Sequence, residues 1–198
     1  MLRALVLLIA VMAPALAAAG EPLFDAAKSG DTAAIERLLS SGAAVDSRDQ
    51  DQATPLITAA LGGQVEAARL LLAKGADVMA RNSGGFTALH AAAYSGSVPV
   101  AVLLLDNKAD RDDAENKAGA APLLVAADTY HPGVVELLIT RGADVSRPES
   151  HGYMPLTRAF WRGDRDTVRL LKRHGAVCQP AKILGGEAYY QQCLEIKD

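Results

Sequence analysis

Aromatic residues make up only 5% of this 198-residue chain, with two cysteines and a single tryptophan. A β-sandwich or barrel of this length fills its core with β-branched and aromatic side chains, so their scarcity weighs against an all-β architecture. Disorder is excluded by the opposite quantity, because 50% of the residues are apolar and the formal net charge is only −3. No block rich in Lys or Arg occurs. Without clustered cations to displace counterions, nucleic acid is excluded as a partner. The signatures of catalysis are missing as well: there is no G-x-S-x-G elbow, phosphate-cradling glycine loop, H-E-x-x-H or C-x-x-C. No catalytic residue, metal or cofactor is expected.

Long apolar runs are also lacking. The longest, from Ala4 to Met12 behind Arg3, falls short of the roughly 20 residues needed to span a bilayer. Small residues follow at Ala15-Leu16-Ala17 and Ala17-Ala18-Ala19, which is the pattern of a secretory leader cleaved after Ala17 or Ala19. The alternative is an uncleaved anchor. A leader over residues 1–19 implies export to the periplasm, or secretion, and no membrane association after cleavage. Cys178 and Cys193 both lie in the last 21 residues. In an oxidising compartment they are expected to form a disulfide, and closing a loop of that size contributes about 3 kcal/mol. Two buried thiols or a redox pair are the alternatives.

What is abundant is a repeat. A tripeptide ending in Leu recurs as Glu21-Pro22-Leu23, Thr54-Pro55-Leu56, Thr87-Ala88-Leu89, Ala121-Pro122-Leu123 and Met154-Pro155-Leu156, in steps of 33, 33, 34 and 33. Other columns keep the same phase: an Ala pair (Ala26-Ala27, Ala59-Ala60, Ala92-Ala93, Ala126-Ala127), a first Gly (Gly30, Gly63, Gly96, Gly163), a Leu pair, and a second Gly (Gly42, Gly75, Gly142, Gly175). Each unit predicts two short helices. Thr54 or Thr87 caps the first, and Pro55 fits at its first position because its missing N–H had no partner there. The Ala pair lets helices approach closely, the glycines end each helix with a left-handed residue, and Leu pairs carry the second helix into the core. The step of 34 puts one extra residue in the loop from Asp112 to Ala120. Tyr130 stands where the first Gly is expected and Lys108 replaces the second.

The period and the segments TPLITAA, TALHAAA, LLAKGADV and LITRGADV resemble the ankyrin-repeat family, over residues 21–178. The resemblance implies an all-α solenoid of about five helix-turn-helix repeats with β-hairpin loops. It spans residues 20–178 and is followed by a capping tail over 179–198, pinned by the cysteine pair. The resemblance also implies a role for His90: in Thr87-Ala88-Leu89-His90 the imidazole is expected to bond turn backbone. His131, His151 and His174 are expected to be solvated, and the acids Asp112, Asp113 and Glu115 to form a charged binding finger.

The family binds proteins through hairpin tips and first helices. Carried over position by position, the first-helix column holds Lys28, Leu61, Tyr94, Asp128 and Trp161, and the tips hold Phe86, Asn116 and Tyr153. Aromatics and Arg anchor interfaces most often, so the expected partner-binding residues are Phe86, Tyr94, Asp128, Tyr153, Arg158 and Trp161. The alternative for Tyr153 and Trp161 is packing under the tail. The chain also resembles bacterial periplasmic ankyrin-repeat proteins. These include proteins that assist an enzyme such as a catalase in stress defence and others that neutralise a periplasmic toxin. The expected function is therefore a monomeric, non-catalytic protein-binding module whose partner is another protein, with a thiol-redox protein or a secreted effector as alternatives.

Overall fold

A computed structural model describes residues 20–197, and the expected leader at 1–19 lies outside them. The described residues form twelve helices and no strand. Five inner helices, α1 (Gly20–Ser29), α3 (Pro55–Leu61), α5 (Ala88–Ser95), α7 (Pro122–Asp128) and α9 (Pro155–Arg162), alternate with five outer ones. The outer helices are α2 (Thr32–Ser40), α4 (Val65–Ala73), α6 (Val98–Asp106), α8 (Pro132–Thr140) and α10 (Arg165–Arg173). Two short helices, α11 (Ala181–Leu184) and α12 (Glu187–Glu195), follow. Each inner helix packs on the next inner helix and on the outer helix of its own repeat, and the outer helices stack in the same order.

The core follows the sequence columns. Leu23, Leu56, Leu89, Leu123 and Leu156, one per repeat, are at most 1% exposed. In the outer layer Ile35, Ala68, Ala101, Val135 and Val168 are fully buried. A helix of seven to ten residues is too short to be stable alone. Burial of these faces between neighbouring repeats is what holds each helix in place.

Both turn columns are left-handed whether or not glycine fills them. Lys108 has φ +69° and Tyr130 φ +62°, beside Gly75 at +90° and Gly96 at +73°. At Gly96 space is also limiting, because a Cβ there would lie 2.4 Å from His131 Nδ1.

The loops from each outer helix to the next inner helix project as fingers. They turn on a side-chain oxygen: Asp49 accepts from Asp51 and Ala53 N–H, Asn82 from Gly84 and Phe86, and Asn116 from Ala118 and Ala120. In the last finger Glu149 accepts from Tyr153 N–H. Adjacent fingers share single backbone bonds, Ser83 N to Asp51 O (2.8 Å), Lys117 N to Gly84 O (3.0 Å) and Ser150 N to Ala118 O (2.9 Å). The fingers thus keep hairpin turns without a regular ladder.

The extra residue of the longer step falls between Asp110 and Asn116, where the bonding pattern resumes. In this loop Asp113 is only 3% exposed. Of the expected charged binding finger, Asp113 is turned into the fold while the Glu115 side chain stays 83% exposed. Asp113 pairs with Arg81 at 2.6 Å, Asp112 accepts from Asp144 N–H, and Glu115 also pairs with Arg81. These acids hold neighbouring fingers together.

Candidate functional site

A groove of about 420 Å³ runs across the inner helices and finger loops. Three successive inner helices supply its apolar floor: Ile57 and Leu61 from α3, Ala91 and Tyr94 from α5, Leu124 and Val125 from α7. Ile57 with Leu61 and Ala91 with Tyr94 each lie on one helix face, and Phe86 closes the finger side. Leu61 is 51% and Tyr94 60% exposed. Large apolar side chains grouped and exposed in this way mark interaction surfaces.

The rim is polar. Asp128 receives two bonds from Arg162, Nε at 3.1 Å and Nη2 at 3.0 Å, and this bonding raises the Arg162 pKa. Arg158 lies over the Tyr153 ring, 5.2 Å from its centre, with Nη2 3.7 Å from Glu149. The Glu149 side chain is only 2% exposed. Burial pushes its carboxyl pKa up, but hydrogen bonds from the His151 imidazole (2.8 Å) and from the backbone N–H groups of His151 and Tyr153 outweigh that and hold it below the ordinary 4.5.

Four of the six residues expected to bind a partner lie in the groove and two lie beside it, next to the tail. Phe86, Tyr94, Asp128 and Arg158 line the groove. Tyr153 adjoins the groove under Arg158 and meets Trp161 edge to face at 4.7 Å, and Trp161 Nε1 donates to Leu184 O in the tail at 3.3 Å. Trp161 is therefore engaged by the tail. Of the four groove residues, Tyr94 presents the most open side chain, whereas Asp128 is tied to Arg162 and Phe86 packs edge-on against His90 at 5.4 Å.

The capping residues lie just behind the groove. Thr54 Oγ1 accepts from Ile57 N at 3.3 Å. His90 Nδ1 faces Thr87 N–H at 3.2 Å and must accept, so Nε2 carries the proton and donates to Ala120 O (2.9 Å) and Asp113 O (3.1 Å) of the next finger. Burial lowers its pKa below the ordinary 6.5, with the bonds to the Ala120 and Asp113 carbonyls acting in the opposite direction. His131 is not merely solvated: Nε2 donates to Tyr94 O at 2.9 Å, capping the end of α5. Among the described residues no group of three or more His, Cys, Asp and Glu is arranged to hold a metal, and no helix is long and apolar enough to cross a membrane.

Sequence reasoning missed Leu124 and Val125, whose signal was the apolar run Leu123-Leu124-Val125 where other repeats carry a polar residue. It also missed Gln179. That side chain is 4% exposed, its Oε1 accepts from Met154 N (3.0 Å) and Thr157 Oγ1 (2.5 Å), and its Nε2 donates to Gly152 O (2.9 Å). Gln179 does for the last repeat what His90 does for the third. No periodic position announces it. Cys178 and Cys193 are joined, with Cα atoms 6.1 Å apart.

A family model described as "Ankyrin repeats (3 copies)" matches residues 23–114 and 103–181. Over 62 residues the chain is 39% identical to the "Ankyrin repeat and SAM domain-containing protein 6" of Mus musculus, covering 31% of this chain and 7% of that protein. The same-named protein of Rattus norvegicus is 37% identical over 62 residues, again at 7% of its length.

Proposed function

From the premise that the chain belongs to the ankyrin-repeat family, we propose that it is a non-catalytic module, acting as a monomer, whose concave groove binds another protein. Ankyrin repeats are generally protein–protein interaction modules, and the fold supplies a surface while the site supplies specificity. The observation that carries the reading is the exposure of Leu61 and Tyr94 at 51% and 60% over a continuous apolar floor. Water-facing apolar side chains held on rigid helices lose little entropy on docking, which is the property of an interface anchor. The leader-like segment at 1–19 supports a periplasmic site of action. The partner proposed there is an enzyme of stress defence. A toxin captured in its place would make the protein an immunity factor.

The test is capture from periplasmic extract, read by mass spectrometry, with the wild-type chain beside a Leu61→Ala/Tyr94→Ala variant. Loss of two exposed anchors should weaken partner binding by roughly thirtyfold or more, while Tm moves by no more than about 2 °C. Equal capture by both proteins would remove the groove from the mechanism.

A further inference from the structure

The last repeat is covered by a strap rather than by another repeat. The strap buries Leu184 of α11, Cys193 of α12 and Ile196 just after it, with Tyr190 partly buried against the stack. Beside them runs an open cleft of about 700 Å³, lined by apolar Phe160, Trp161 and Leu184 and by polar Arg165, Gln192 and Glu195. Besides the three bonds of Gln179, the strap is held by one from Trp161 Nε1 to Leu184 O (3.3 Å) and by two from Lys172 Nζ, to Cys193 O (2.6 Å) and Ile196 O (2.8 Å). Its covalent tie is the Cys178–Cys193 bond. Gly185 and Gly186, at φ +101° and +138°, separate α11 from α12 and give the strap a pivot. The strap thus combines few buried side chains, an open cleft beside them, one reducible bond and a two-glycine joint.

We infer that the tail is a thiol-gated cap: reduction of Cys178–Cys193 releases α12 and exposes Phe160 and the covered part of Trp161, which is 41% exposed with the strap closed, while the repeat stack stays folded. The inference stands apart from the groove and does not depend on what the groove binds. The reductant is a dithiol. Its thiolate attacks Cys178 Sγ, the partly exposed member, since Cys193 is fully buried. The Sγ–Sγ bond breaks, and its electron pair leaves on Cys193 Sγ, which takes up a proton. The second thiol of the reductant then displaces Cys178 as a thiol. Two electrons have passed to the cysteines and the dithiol has become a disulfide. Because stability in a solenoid is a sum of nearest-neighbour terms, a terminal unit can open without unfolding the rest.

Trp161 is the single tryptophan of the chain and touches the strap directly, so its emission reports the cap. The full chain is compared with and without dithiothreitol, counting free thiols by labelling. On reduction, two thiols should appear and Trp161 emission should shift to the red and become more quenchable by acrylamide. Trypsin cleavage at the exposed Lys182 should accelerate by roughly a hundredfold, the ratio expected from losing closure of a loop this long. The helical melt of the stack, followed by circular dichroism, should persist. A Cys178→Ser/Cys193→Ser variant should behave as reduced protein without dithiol. Unchanged emission and cleavage with both thiols labelled would overturn the inference. So would a bond that resists dithiol in the folded protein, or loss of the helical signal together with the cap.

Discussion

Lys108 and Tyr130 occupy columns that glycine otherwise fills, and both keep the left-handed geometry of those columns. A side chain there carries a steric cost of about 1–2 kcal/mol that glycine avoids. For Tyr130 a return is visible, since its hydroxyl donates to Arg162 O of the next repeat at 2.6 Å. Lys108 is exposed, and nothing in the structure explains its choice over glycine. Lys108→Gly is therefore expected to stabilise the protein by about 1 kcal/mol, raising Tm by roughly 2–4 °C in a thermal melt. The departures from the repeat at 108 and 130 were legible in the sequence, but their backbone angles were not, because the neighbouring repeats impose them.

His90 shows what one side chain does for a whole element. Its imidazole fastens the start of α5 to the following finger, accepting at Nδ1 and donating at Nε2. Only the neutral ring can do both, and burial keeps it neutral by lowering its pKa. In the unfolded chain the ring titrates near 6.5, so below that pH the unfolded state binds more protons and folding loses stability. Stability from this element should be complete above pH 6.5 and fall as pH drops from there toward the depressed folded-state pKa. Urea midpoints at pH 7.5 and 5.5 would show a drop in wild type that is smaller in His90→Gln. The Thr-Ala-Leu-His tetrapeptide made this cap readable from sequence. The matching cap by Gln179 was not, because it reaches back 22 to 27 residues from a segment outside the repeat.

At the scale of the molecule, the stack has no single centre, and each repeat is held by its two neighbours. Leu104, fully buried on α6, sits in the middle repeat. Leu104→Ala should cost about 3 kcal/mol and, by weakening the central link, separate urea unfolding into two transitions seen by circular dichroism. One sharp transition at a lower midpoint would mean that the five repeats unfold as one unit. The sequence by itself determined the repeat, its register, the buried leucine and alanine columns and the helical class. All of these follow from periodic, local relations that each unit repeats. Only the tertiary structure decided which exposed residues remain available. Asp128, Asp113 and Trp161 look alike to sequence as surface groups, yet one is tied to Arg162, one to Arg81 and one to the tail. Those pairings join residues 23 to 34 positions apart, and they exist because stacking and the folded-back strap bring the residues together.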